Sequence, residues 1–200
     1  MSVIVKQLFD SVGIKQYKTI KWGDIKSADI PDKFGVYIIE IDKVYEKPKF
    51  DLDSINEWLG ISKRVTINEI KANSKTIIKE LNTHWKPIET ILYIGQTSTS
   101  AKGLKKRLGD FESHQPGNKG PHSGGYWIKL LSDLDNLKVH YAPCDNAYDV
   151  EFKMLLKFVM LSAKQNDIMK IENLGSYLPF ANITADFDKR HEIKGAIKKQ

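Results

Sequence analysis

The spacing of apolar positions divides the chain into short strands and longer helices. In "PDKFGVYIIEID" a turn leads into a strand, Gly35 to Ile41. Its period of two places Tyr37, Ile39 and Ile41 on one face and Val36 and Ile38 on the other. A second strand, Thr90–Gly95, breaks at a glycine, and helical spacing restarts at Leu104, Leu108 and Phe111. "LKVHYAP" alternates as a third strand. "CDNAYDVEFKMLLKFVMLSAKQ" is the clearest helix, with Met154, Leu155, Phe158 and Val159 as its stripe. Asn146 is placed to cap it, and Asp149 lies in the favoured acidic first turn. A short helix is expected near Val3–Val12.

Residues 42–88 interrupt this alternation. "DLDSINEWLG" and "TINEIKANSKTIIKELNTHW" both read as helical, with Thr66 and Glu69 as a capping box. Ile67, Ile70, Ile77, Ile78 and Leu81 roughly follow the helical period. The stretch is too long for a plain connector. It reads as an insertion whose replacement by a tight turn would still let the flanking strands pair. Strands in hairpin order followed by helices mean an α+β class.

Composition adds three constraints. With 200 residues and 41% hydrophobic content, the chain builds one domain with a proper core. A net charge of +6 leans toward polyanionic partners, nucleic acid first. A single cysteine, Cys144, excludes an internal disulfide and any multi-cysteine zinc site, which fits a reducing cytosol. The N-terminus lacks the apolar core of a signal peptide, and no apolar run approaches membrane length. The expectation is a soluble, cytoplasmic protein without a membrane partner. No glycine-rich phosphate loop, metalloprotease helix or nucleophile elbow is present.

"GVY" at Gly35–Tyr37 and "YIG" at Tyr93–Gly95 resemble the two halves of the GIY-YIG nuclease motif. Each half alone is uninformative; their order with Arg107, Glu151 and Asn182 in "PFAN", each on the expected element, is what carries the resemblance. It covers roughly residues 34–183, leaving an N-terminal arm (1–30) and a basic tail (184–200). The long spacer is similar to that of the restriction-enzyme branch. The resemblance implies a small three-stranded antiparallel sheet flanked by helices, with residues 42–88 inserted between its first two strands. It implies a Mg²⁺-dependent endonuclease, with Mn²⁺ as a substitute ion, acting on double-stranded DNA. It leaves room for a homodimer. The alternative is a catalytically silent module that binds DNA or protein through the same surface.

The residue types suit this chemistry. Phosphodiester hydrolysis needs an activated water, charge stabilisation on the phosphate and help for the leaving oxygen. Glu151, on the side of Met154 and Leu155, is the metal-ligand candidate, because Mg²⁺ tolerates one carboxylate plus waters and phosphate oxygens. The planar donor fork of Arg107 suits a phosphate. Tyr37 or Tyr93 would activate water, with Tyr93 preferred as base; a free tyrosine titrates near ~10 and needs help. Gly35 and Gly95 would let backbone and substrate approach closely. Asn182 is either a polar support for the site or a loop residue capping its own backbone. Two positions depart from the family: Gln96 stands where some members have lysine, and Phe111 where many have histidine. His122 could then carry protons into the site, while His114 reads as an exposed loop residue. The insertion, the arm and the loop 114–125 would contact DNA. Lys47, Lys49, Lys63, Arg64, Lys71 and Lys75 would position phosphates, joined by Lys105 and Lys106 beside Arg107. The insertion is only mildly basic as a whole, which favours base reading or dimerisation over a grip on the backbone.

Overall fold

A computed structural model describes residues 3–43, 45–98, 103–118, 125–185, 188–189 and 193–195. Helix α1 (Val5–Ser11) precedes strand β1 (Lys18–Lys21) and strand β2 (Gly35–Ile41). The insertion contains α2 (Leu52–Ile61), a hairpin of β3 (Thr66–Ile67) and β4 (Ile70–Lys71), and α3 (Ser74–His84). Strand β5 (Ile91–Thr97), helix α4 (Leu104–Ser113), strand β6 (Leu137–Pro143) and helix α5 (Ala147–Ser162) follow. Three two-residue strands lie near the end: β7 (Thr184–Ala185), β8 (Asp188–Lys189) and β9 (Ile193–Lys194).

The main sheet is antiparallel with strand order β1-β6-β2-β5. It therefore has four strands rather than the expected three. The additional strand, Lys18-Thr-Ile-Lys, lies at an edge and exposes all of its residues but a half-buried Ile20, so it carries almost no apolar alternation to read. The face assignment of β2 holds. Tyr37, Ile39 and Ile41 join the larger core with α2, α3 and α4. Val36 and Ile38 join the second core, against α1 and α5. The mixed α+β class follows, with helices packed on both faces of the sheet.

The insertion is not a detachable elaboration. Ile55, Trp58, Ile77 and Leu81 are fully buried in the same core as Tyr37. Removing residues 42–88 would strip these side chains from the larger core. Its local reading changes as well. Thr66 and Glu69 form no capping box: Thr66 lies in β3, and Asn68 and Glu69 both take positive φ (49° and 67°) in a two-residue hairpin turn. A glutamate at a left-handed turn position is uncommon, which hides this turn from a reader expecting Asn-Gly. The helix starts later. Asn73 accepts from Thr76 N–H at 3.0 Å and Thr76 Oγ1 accepts from Asn73 N–H at 2.9 Å, a reciprocal cap. Only Ile77, Ile78 and Leu81 of the expected stripe belong to α3. Asn146 does occupy the N-cap of α5, but in a left-handed conformation and without a side-chain cap.

Strand β5 would be an open sheet edge, yet a later segment covers it. Ala181 N–H donates to Leu92 O at 2.8 Å. The Asn182 side chain then closes both backbone groups of Ile94: Oδ1 accepts from Ile94 N–H at 2.9 Å, and Nδ2 donates to Ile94 O at 2.8 Å. This satisfies the edge without adding a full strand. On the second face a polar chain crosses the sheet. Thr19 Oγ1 lies 2.8 Å from His140 Nδ1, His140 Nε2 lies 2.9 Å from Glu40 Oε2, and Thr90 Oγ1 donates to Glu40 Oε1 at 3.0 Å. Burial works against the Glu40 charge, but these bonds hold its pKa below the ordinary carboxylate value. One alternating polar position per strand is too faint a signal to reveal such a chain from sequence.

Candidate active site

The site is built on the paired strands β2 and β5. The register sets Tyr37 opposite Gly95 and Ile39 opposite Tyr93, so the two tyrosines sit diagonally on one face. Their rings lie 5.9 Å apart between centroids, tilted by 46°. Gly95 makes this possible. A Cβ on Gly95 would come within 2.6 Å of Tyr37 Cζ, 2.6 Å of Tyr93 Cε1 and 2.7 Å of Tyr37 Oη. The glycine in "YIG" is thus the space in which two phenols converge, and any side chain there displaces them. Gly35 has a packing role instead: its Cβ would strike Ala142 O at 2.3 Å and Leu104 Cδ1 at 2.7 Å.

Helix α4 brings the arginine. Its first turn docks onto the loop before β2, with Leu104 N–H donating to Lys33 O at 2.8 Å and Lys105 N–H to Pro31 O at 3.3 Å. Leu104, Leu108 and Phe111 are fully buried against the tyrosine face. Arg107, on the border of that stripe, hydrogen-bonds Tyr37 and lies within electrostatic range of Tyr93 and Glu151. Its Nε is buried without a hydrogen-bond partner among the described residues. Lys105 and Lys106 point outward, and Lys106 pairs with Asp110 at 3.5 Å.

Phe111 forms a wall of the site. Its ring packs edge-on to Tyr93 (5.6 Å between centroids), against Tyr37 (6.4 Å) and edge-on to Trp22 (5.2 Å). A buried aromatic at that position desolvates both phenols, a role that helical spacing alone does not reveal. Gln96 pairs with Val36 and so projects to the opposite face, where its Oε1 is buried without a partner among the described residues.

The electrostatics follow from this burial. Tyr37 is pushed up to about 12, mainly by desolvation, against the pull of Arg107. Tyr93 is raised well above the usual tyrosine value, again by desolvation, with Tyr37 and Glu151 adding to it. The Arg107 guanidinium, hydrogen-bonded to Tyr37, opposes part of this rise at Tyr37. Glu151, partly buried on the first turns of α5, is pushed up to about 7 by desolvation, with Arg107 pulling the other way. It is a carboxylate whose charge this pocket compensates incompletely.

Tyr37, Tyr93, Arg107 and Glu151 thus form one electrostatically coupled group. Asn182 does not enter it through its side chain, which is occupied by Ile94 one residue after Tyr93. It holds the strand that carries the site. Asn182→Ala should destabilise the protein by ~2–4 kcal/mol, because two buried backbone groups lose their partner together. Chemical denaturation measures this, and a change within ~0.5 kcal/mol would remove the clamp from the account. His114 is buried at the end of α4, not exposed as expected. His122 lies outside the described residues, with the rest of 119–124. Lys47, Lys49, Lys63, Arg64, Lys71 and Lys75 are all exposed on the insertion, with Lys49 over the Tyr45 ring. No helix among the described residues is long and apolar enough to cross a membrane.

Comparisons with protein-family models, curated proteins and solved structures find no match to this chain.

Proposed function

We propose that this chain is a GIY-YIG-type endonuclease that hydrolyses phosphodiester bonds in double-stranded DNA, of the restriction kind. The carrying observation is the convergence of Tyr37, Tyr93, Arg107 and Glu151 from two strands and two helices, with Gly95 leaving the space between the phenols. The two tyrosines also pack in the core, but packing gives no reason to aim an arginine and a carboxylate at them. The four side chains match the needs of phosphoryl chemistry: a donor fork, hydroxyls to orient water, and one carboxylate.

In this reading the Arg107 fork holds the scissile phosphate and takes up charge as it develops. The phenols orient the attacking water. Both keep their protons at neutral pH, so they act as positioning groups, and Tyr37 Oη, bonded to Arg107, is placed to orient the water beside the phosphate that Arg107 holds. Phe111 and the surrounding core keep bulk water from the phenols. A divalent ion, Mg²⁺ or Mn²⁺, fits Glu151 because the carboxylate is partly desolvated and undercompensated. Among the described residues no group of three or more ligand side chains is arranged for a metal, so Glu151 would be joined by phosphate oxygens and water. When bound, the ion supplies charge stabilisation to the phosphate and the leaving oxygen. The same surface without turnover, a silent DNA- or protein-binding module, draws on Gln96 and Phe111.

A plasmid-nicking assay with and without Mg²⁺ tests the proposal. Conversion of supercoiled to open-circular DNA only with the ion is expected. An intact plasmid at high protein concentration, with either Mg²⁺ or Mn²⁺, would leave the silent module as the better reading.

A further inference from the structure

The insertion hairpin does not stand alone. β3 pairs with β4 on one side and with β9 of the C-terminal segment on the other. The register aligns Lys71, Thr66 and Lys194 across the three strands, and Ile70, Ile67 and Ile193 across the next row. Residues paired across antiparallel strands project from the same face. The isoleucine row faces the protein: Ile193 is buried and Ile67 packs on the larger core, while Ile70 at the free edge remains exposed. The row of Lys71, Thr66 and Lys194 therefore points outward, with both lysines exposed. Exposed Lys63 and Arg64 lead into β3, and Lys75 follows on α3. Among the described residues the one acidic side chain on the ribbon is Glu69 at the turn, which Lys194 Nζ reaches at 3.3 Å.

We infer that the outer face of this three-stranded ribbon grips the phosphate backbone of duplex DNA through Lys71 and Lys194, with Glu69 holding Lys194 in the free protein. The occupant is chosen by charge. A row of ammonium groups flanked by further cations suits a polyanion, and lysine point charges suit phosphates better than base edges. The hydroxyl of Thr66 between them is a third phosphate donor. The inference rests on the DNA-directed part of the proposed function and assigns the surface that anchors the substrate away from the tyrosine site. Folding concentrates there a charge that the insertion's composition dilutes.

The test measures binding to a random-sequence duplex by fluorescence anisotropy, without divalent ions, over a range of salt concentrations. Three proteins are compared: the parent, Lys71→Ala/Lys194→Ala, and Glu69→Gln. Each lost phosphate contact lowers the slope of log K against log salt by about 0.9, so the double variant should lose about 2 in slope. Glu69→Gln should bind several-fold more tightly at low salt, an outcome that damage to the fold would not produce. All three positions are exposed, and circular dichroism checks the fold of each variant. Plasmid nicking by the parent is followed in parallel. If the parent cuts DNA but the double variant keeps the parent's slope, the ribbon is overturned and the nuclease reading stands. If the slope falls as expected but the parent never cuts, the ribbon stands and the nuclease reading falls. A parent that neither binds nor cuts overturns both.

Discussion

Arg107→Ala is expected to slow DNA cleavage by ~10²–10³ while leaving the fold intact, the usual consequence of removing one positioned transition-state donor. The fold should survive because the apolar work of α4 is done by Leu104, Leu108 and Phe111, and the helix start is anchored by backbone bonds to Lys33 and Pro31. Arg107→Lys should recover little, since an ammonium lacks the fork that meets two phosphate oxygens. The loss should fall mainly on kcat, with DNA affinity changed far less, because the ribbon and other lysines remain. Single-turnover cleavage beside equilibrium binding measures both. Near-parent cleavage by Arg107→Ala would take the arginine out of the chemistry.

Glu151→Gln should bind DNA at least as tightly as the parent and should not cut it. Glutamine keeps the size of the side chain and removes a charge that the phosphate repels. The same variant makes a prediction independent of activity. Burial raises the Glu151 pKa to about 7, above the ordinary value near ~4.3 in the unfolded chain. The folded state therefore holds this proton more tightly than the unfolded state. The stability tied to it is fully present below the unfolded value and is lost as pH rises through about 7. The Gln variant should consequently be more stable than the parent at pH ~8, by ~1–3 kcal/mol, and equal to it near pH ~4. Mg²⁺ should raise the parent's melting temperature at high pH and leave the variant's unchanged. A parent as stable as the variant across this range would mean that Glu151 is solvated, and the metal assignment would fall with it.

These two substitutions probe positions whose helices the sequence alone locates. The strands that carry Tyr37 and Tyr93, the helix that carries Arg107 and the long helix that carries Glu151 can be located because local spacing encodes them, while the choice of these residues comes from the resemblance. Period two sets the face of Tyr37, period 3.6 sets the stripe beside Arg107, and short turns keep both in chain order. The α+β class follows from the same local patterns.

What local spacing could not contain was decided by contacts between distant segments. The desolvation that pushes up the Tyr37 pKa comes from Phe111 and the core around it, and the Arg107 guanidinium that opposes this rise is brought beside it by the docking of α4. The role of Asn182 depends on which strand edge it meets, and that edge belongs to Ile94, far away in the chain. The stretch from Thr66 to Lys71 reads as helical because helical spacing and a short hairpin share the same isoleucines, and pairing of β3 with the C-terminal β9 is a contact that no local pattern contains. Lys71 and Lys194 are unrelated in sequence and neighbours across β3 in space. The chain's order of residues determines faces, stripes and caps through local sterics and periodicity. Burial, pKa and charge density arise when segments far apart in sequence exclude water from one another, and so belong to the tertiary structure.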